Sequence, residues 1–355
     1  MVEDELVTEA GSDPHAGYES RATSELVALM NAEDSSVPEA VRTATASISE
    51  AIDAIAERMR AGGRLVYVGA GSSGLIAALD ASECEGTFST PPGLVVALVA
   101  GEAGAAPIAR AAAEDDRAAG ARDVGAGSSG LIAALDASEC EATFSTPSGL
   151  VVALVAGDSD TTPVARAAAE DDRDAGACDL AALGIRTDDA VVGISASGST
   201  PYVAGALETA ATAGALTACV VCAPGSVLGG LADHEIVVVV GPEFITGSTR
   251  LKAGTAQKLV LNAISTVTMI RLGKTYGNLM VDVAAANEKL VERVRRIVAA
   301  ATGATSQEID EALVAAGGDA RVAIVSLAAN VHADTARARL DASGRSIARA
   351  LEEAQ

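Results

Sequence analysis

Two short stretches combine backbone freedom with hydroxyl groups: Gly69-Ala-Gly-Ser-Ser-Gly74 and Ser195-Ala-Ser-Gly-Ser-Thr-Pro201. Each follows an apolar run and opens a helical pattern. A loop in that setting aims several backbone N–H groups at one point, and the dipole of the following helix adds positive potential. Gly71 and Gly198 let the chain turn, and Ser72, Ser73, Ser197, Ser199 and Thr200 add hydroxyl donors. Pro201 suits the first turn of the helix it opens. Loops of this kind recognise an anion. The first also matches GxGxxG, the dinucleotide pattern, which expects an acidic residue at the end of the next strand, about 20 residues on. Glu83 and Glu85 come too early and Glu102 too late. Hydroxyls also crowd the loop where small residues would pack against a pyrophosphate. A phosphomonoester fits the residues better.

A third polar loop runs Gly241-Pro-Glu-Phe-Ile-Thr-Gly-Ser-Thr-Arg-Leu-Lys252 and opens a helical pattern that carries Lys252 and Lys258. The chain has only four Lys among its 25 basic residues, and three of them fall between positions 252 and 274. From Arg250 to Arg296 nine basic residues stand against three acidic ones, a local excess of positive charge in a chain of net charge −23. Such a patch suits an anionic ligand. Glu243, Ser248 and Lys252 are its candidate contacts, whereas Arg293, Arg295 and Arg296 read as partners of the acidic surface.

The elements that must position these loops alternate. Strand-like runs fall at 65–68, 94–100 (or 150–156), 190–195, 217–222 and 235–240, with helical patterns between them. This predicts an α/β fold, a mostly parallel sheet with helices on both faces. Residues 25–61 read as helix, with Ser and Pro near the start and Gly-Gly at the end. From Ser248 onward the pattern is helical to the end, and 306–355 reads as a small helical appendage. The organisation expected is an N-terminal helical segment over 1–58, an α/β domain over 59–298 and a C-terminal helical appendage over 299–355.

Composition narrows the function classes. Aromatic residues make up only 2% of the chain, so small aliphatic residues must fill its core. The strong negative charge argues against nucleic acid and anionic membrane surfaces as partners. No apolar run approaches the roughly 20 residues of a membrane span, and the acidic N-terminus does not read as a signal peptide. These features predict a cytoplasmic protein. Acidity with so little Lys resembles proteins of a high-salt cytoplasm, so a halophilic origin is expected. Five cysteines, at 84, 140, 178, 219 and 222, are an odd number for a disulfide framework. Cys219 and Cys222 form a CxxC inside an apolar strand pattern. Residues three apart on a strand face opposite sides, so they read as core and no metal is expected.

The stretch GAGSSGLIAALDASEC occurs twice, at positions 69 and 125. The segments 68–123 and 124–179 align without a gap and match at 46 of 56 positions. Two near-identical copies read as a recent tandem duplication, or as an error in the underlying gene sequence, rather than a solenoid, which needs about three or more looser repeats. Their flanks differ. The first copy is entered through GGRLVYV, a buried-strand pattern, and the second through AAGARDV, which is no strand. Only the second copy runs directly on into the strand at 190–195. The working domain is therefore expected to use the front of copy one and the back of copy two. The surplus segment, about 85–140, is expected to be displaced from the sheet or packed as an extra unit.

The stretches GGRLVYVGAGSSG, LDASEC, AEDD, VVGISASGSTPYV, GPEFITGSTRLKAGTAQKLVLN and RLGKTYGNLMVDVAAANEKL resemble those of N-acetylmuramic acid 6-phosphate etherases. These are sugar-isomerase (SIS) domain proteins related to the glucokinase regulatory protein. The resemblance covers about 25–302 apart from the extra copy, and GPE…TGSTRLK is its most specific part. It implies a parallel-sheet SIS domain of flavodoxin-like, three-layer type. It implies a lyase that removes D-lactate from C3 of the phosphosugar by elimination and hydration, leaving N-acetylglucosamine 6-phosphate, with no cofactor, metal or nucleotide. By motif the acid falls on Glu83 of LDASEC, and the base on the Glu of AEDD, Glu170 in copy two or Glu114 in copy one. By its chemistry alone each of these Glu reads as a solvated helix residue. The family's usual Arg after the first serine loop and within the second are here Leu75 and Ser199. The other class the resemblance allows is a non-catalytic module that senses sugar phosphates. Glu83 lies ten residues beyond Ser73, about 15 Å along a straight helix, farther than one sugar reaches. Either the helix ends early or a second copy completes the site, and a homodimer with shared sites is expected.

Overall fold

The computed structural model describes residues 17–100, 169–281 and 288–352. They fall into two compact units, one drawn from Met1–Glu83 and Pro92–Ser265, the other from Cys84–Pro91 and Thr266–Gln355.

In the first unit, three helices precede the sheet: α1 (Thr23–Asp34), α2 (Val37–Thr43) and α3 (Thr45–Arg60). The helical pattern at 25–61 is thus cut twice, and Pro38 stands in the first turn of α2 where its missing N–H is harmless. Then follow β1 (Leu65–Gly69), α4 (Gly71–Phe88) and β2 (Val95–Val99). After the undescribed stretch come α5 (Arg173–Ala182), β3 (Ala190–Ser195), α6 (Pro201–Thr212), β4 (Leu216–Val221), β5 (His234–Val237) and α7 (Lys252–Arg271).

The five strands form one parallel sheet in the order β2-β1-β3-β4-β5. Every residue of β1, β3 and β4 is buried, which is why these strands read as continuous apolar runs rather than alternating ones. One face is formed by Val66, Val68, Leu98, Val191, Cys219 and Val221, packed with Leu180 of α5 and Tyr202, Val203 and Leu207 of α6. Each fully buried aliphatic side chain here stabilises the fold by roughly 2 kcal/mol. On the other face, α3 lies against β3, β4 and β5, and Tyr67 of β1 reaches Asp80 of α4. This is the three-layer α/β arrangement with flavodoxin-like strand order.

The lower edges of β1 and β3 are tied by a single carboxylate. Asp189, fully buried, accepts the backbone N–H of Arg64 at 2.8 Å, its guanidinium at 2.7 Å and the backbone N–H of Arg186 at 3.0 Å. Burial pushes this carboxyl up, but the bonds from Arg64 and Arg186 outweigh it and hold it down at about 2.

Three expectations change. Residues 95–99, part of the segment expected to be surplus, form β2 and pair in register with β1 from Leu65↔Val95 to Gly69↔Val99. The apolar run is long enough to bury one face at the edge of the sheet, so it joins the sheet. Residues 85–88 of that segment belong to α4, and its part from 101 to 140 lies outside the described residues. β5 ends at Val237 rather than 240, its last ladder partner being Val221 at the end of β4. The all-helical reading after Ser248 misses a hairpin, β6 (Thr275–Tyr276) with β7 (Leu279–Met280), turned by Gly277 at φ 57°. Strands of two residues leave no periodicity to read. Cys219 and Cys222 are buried and burial pushes both thiols up to about 12, as core positions require. No group of metal-ligating residues occurs among the described residues.

In the second unit, α8 (Glu288–Thr302) contributes Val294, Ile297 and Val298 to one core with α9 (Ser306–Ala315), α10 (Ala320–Ala329), α11 (Ala333–Ala342) and α12 (Ile347–Glu352). Thr305 and Glu308 cap α9 reciprocally, and Asp319 caps α10.

Candidate functional site

β1 sits where the strand order reverses, with β2 on one side and β3 on the other. Gly69 at the end of β1 pairs with Ile194, one residue before the end of β3. The serine loops that follow these two strands therefore leave the same carboxyl-terminal edge side by side, at the switch point where open α/β sheets bind ligands.

The first loop is tight. A Cβ on Gly69 would lie 2.7 Å from the Gly74 nitrogen, and one on Gly74 would lie 2.7 Å from a Val99 methyl. The first and last of the three glycines in the GxGxxG match thus seat α4 on the sheet and need no dinucleotide to explain them. Ser72 is half-buried and Ser73 buried on the first turn of α4. The Ser73 hydroxyl donates to Gln257 Oε1 at 3.0 Å.

The second loop turns at Gly198, whose φ of 71° and closeness to Ser226, 2.3 Å from a built Cβ, exclude a side chain. Its hydroxyls form a directed chain. Gly198 N–H donates to Ser195 Oγ at 3.0 Å, and Ser195 Oγ meets Thr200 Oγ1 at 2.8 Å. Thr200 Oγ1 donates to Glu170 Oε1 at 3.4 Å. With Thr200's one proton given to Glu170, Ser195 must donate to Thr200, so the chain runs one way, from backbone to carboxylate. Ser197 Oγ and Ser199 Oγ are 2.9 Å apart, and Ser199 is exposed. Ser195 is part of this network but was not singled out in the sequence; its only signal was that it ends the strand pattern.

Glu170 lies in the last helical residues before Asp172, which caps α5 through the Ala175 N–H. The structure brings it to Thr200. Glu114, its counterpart in copy one, lies outside the described residues. Glu83 is half-buried on α4, which runs unbroken from Gly71 to Phe88. The possibility that the helix ends early is therefore excluded, and Glu83 stands about 15 Å along α4 from Ser73. One turn before it, Asp80 is buried and accepts from Tyr67 Oη at 3.0 Å and Ser265 Oγ at 3.1 Å. Burial pushes its carboxyl up to about 6, against the pull of Lys258, 4.0 Å away.

The third loop is arranged differently from an open anion site. Glu243 is buried, and its two carboxylate oxygens accept the backbone N–H groups of Lys252 and Ala253 at 2.9 Å, capping α7. Burial holds its carboxyl above the usual range, opposed by these two bonds and by the Lys252 charge. The Lys252 ammonium is buried against Glu33 of α1 at 2.9 Å. Ser248 is buried, its N–H bonded to Ile245 O. Next to this cap, Phe244 stacks on Tyr18 of the N-terminal segment at 4.6 Å between ring centres. No signal in the sequence pointed to Glu33, which reads as one of many helical surface acids.

Comparison with known proteins adds the following. The sequence model of the glucokinase regulatory protein N-terminal SIS domain matches residues 123–211. The chain is 47% identical to an N-acetylmuramic acid 6-phosphate etherase of Rubrobacter xylanophilus over 338 residues, 95% of this chain and 94% of that protein. It is 45% identical to one of Streptomyces avermitilis over 349 residues, 98% of this chain and 94% of that protein. Among solved structures, a phosphoheptose isomerase from Francisella tularensis aligns with 69% of this chain and 98% of its own at 16% identity and a TM-score of 0.40.

Proposed function

The chain belongs to the N-acetylmuramic acid 6-phosphate etherase family, and from that premise we propose how its residues perform the reaction. The protein is a carbon–oxygen lyase that cleaves the C3 lactyl ether of N-acetylmuramic acid 6-phosphate. The two serine loops hold the phosphate, through Gly71, Ser72 and Ser73 on one side and Ser197, Gly198, Ser199 and Thr200 on the other. Glu170 is the base that takes the proton at C2, made acidic by the C1 aldehyde of the ring-opened sugar. Glu83 is the acid that protonates the departing lactate oxygen. Water then adds at C3. The observation that carries this reading is the one-way hydrogen-bond chain into Glu170. A hydrogen bond donated to a carboxylate orients it and favours its charged form, the form a general base needs.

Glu243, Ser248 and Lys252 support the site from the third loop. Glu243 holds the first turn of α7, and Lys252 binds substrate once its pairing with Glu33 gives way. The 56-residue repeat is a tandem duplication in which copy one supplies α4 and β2, after a β1 that begins ahead of it, and copy two supplies the base. The unbroken α4 supports a homodimer, because Glu83 is too far along the helix to serve the phosphate site of its own chain. The acidic, Lys-poor composition supports a high-salt cytoplasm as the setting.

The test is D-lactate release from N-acetylmuramic acid 6-phosphate. Glu83→Gln is expected to abolish it while N-acetylglucosamine 6-phosphate still binds. Unchanged turnover in that variant removes Glu83 from the mechanism.

A further inference from the structure

We propose that Gln257 is a positioning residue for the substrate's phosphate, its buried amide setting the Ser73 hydroxyl as a donor toward the ligand. The proposal rests on the reading that the serine loops hold that phosphate.

Gln257 is 1% exposed and lies on α7 among the buried Ala253, Ala256, Val260 and Leu261. An amide on such an apolar face is costly unless both its ends are satisfied. Here one end is. Its Oε1 accepts the Ser73 hydroxyl at 3.0 Å, while its Nε2 is buried with no partner among the described residues. The arrangement leaves two groups in the wrong state for holding an anion. Ser73 has a single hydroxyl proton, and it is spent on Gln257. In that state Ser73 can only accept, and an acceptor repels a phosphate oxygen. The unpartnered group is a donor, the rarer and more costly kind of buried orphan.

A half-turn of the amide resolves both. Nε2 then donates to Ser73 Oγ, and the Ser73 proton is released toward the α4 N-terminus, where a phosphate oxygen accepts it. The group left over is a carbonyl oxygen, which tolerates under-satisfaction better than an N–H. The anion thus selects one amide orientation, and Gln257 passes its donor to the ligand through Ser73. Neither residue moves along the backbone. The rest of the α4–α7 contact holds the pair in place, through Ser265 on Asp80 at 3.1 Å and through Gly254, where an added Cβ would lie 3.5 Å from the Ile76 side chain.

The test measures KM and kcat for N-acetylmuramic acid 6-phosphate in Gln257→Leu and Gln257→Glu, with Ser197→Ala alongside. Gln257→Leu removes the donor that orients Ser73 but leaves the Ser73 proton free to reach the phosphate, so KM is expected to rise about 3- to 10-fold, with kcat within about threefold. N-acetylglucosamine without phosphate should bind both proteins alike. Gln257→Glu keeps the shape, and its carboxyl can donate only when protonated. Its KM ratio to the parent protein is therefore expected to be large at pH 8 and to shrink toward pH 5. A purely structural role moves neither the ratio nor its pH dependence, and a flat ratio overturns the proposal. If Gln257→Leu keeps the parent KM while Ser197→Ala raises it, the Gln257 role is wrong and the loops stand. If Ser197→Ala also leaves KM unchanged, the loops do not hold the phosphate and both readings fall.

Discussion

Asp80 holds a carboxyl where water cannot solvate it, with Tyr67 and Ser265 donating to it, Lys258 4.0 Å away and Glu83 one turn further along α4. Burial lifts it from the usual 3.8 to about 6. The folded state therefore favours the protonated form. That contribution is complete below 3.8 and is lost as pH rises through about 6. At neutral pH the chain carries a buried charge that costs about 2–3 kcal/mol. Asp80→Asn is expected to be more stable than the parent by about 1–3 kcal/mol at pH 8, part of the gain being offset by lost attraction to Lys258, and within about 0.5 kcal/mol of it at pH 4. Urea unfolding at the two pH values measures this, and an equal difference at both removes the buried charge as its cause. Neither Asp80 nor Gln257 stood out in the sequence, because their partners Ser265 and Ser73 lie 185 and 184 positions away. The hydroxyls of the two loops were legible because loop, strand and helix signals are all local.

At the scale of elements, the site depends on β1 and β3 ending together, and Asp189 ties their starts. Its carboxyl is held at about 2, below the usual 3.8, so its contribution is present above 3.8 and is lost as pH falls toward 2. The difference corresponds to about 2 kcal/mol. Asp189→Asn is expected to lower stability by about that amount at pH 7, with the gap closing between pH 4 and pH 2, by circular dichroism in urea. A gap that stays constant with pH means the Arg64 and Arg186 bonds do not act through the charge. The strands themselves were readable, since β1, β3 and β4 are buried on both faces and show as unbroken apolar runs. The 275–280 hairpin was not, being two residues a side, and neither was the role of 95–99, since a strand pattern does not say which neighbour it pairs with.

For the whole molecule, one sheet is built from a chain that carries the segment 68–123 twice, with only the first copy preceded by a strand. The described sheet starts with β1, which begins ahead of the repeat, takes α4 and β2 from copy one and continues at Glu170 of copy two. Deleting 68–123 joins Tyr67 to Val124 and leaves one copy in register. The shortened chain is expected to fold, to keep lactate release within about threefold of the parent, and to run as a dimer by light scattering like the parent. Loss of folding on deletion, together with loss of turnover in Glu114→Gln of the full chain, places the base in copy one instead. Monomers with full activity remove the shared site.

By itself the sequence determined the strand–helix alternation, the glycine and hydroxyl make-up of the two serine loops and, through its motifs, the family resemblance. All of these are written in neighbouring residues, whose periodicity, glycines and hydroxyls act locally. The tertiary structure alone decided which strand stands next to which, and so that both loops open at one edge. It also decided that Thr200 turns to Glu170, that Lys252 faces Glu33 and that Asp80 and Gln257 are sealed between α4 and α7. Those pairings depend on burial and on partners brought from far along the chain. A carboxylate or an amide looks the same in sequence whether it faces water or another helix.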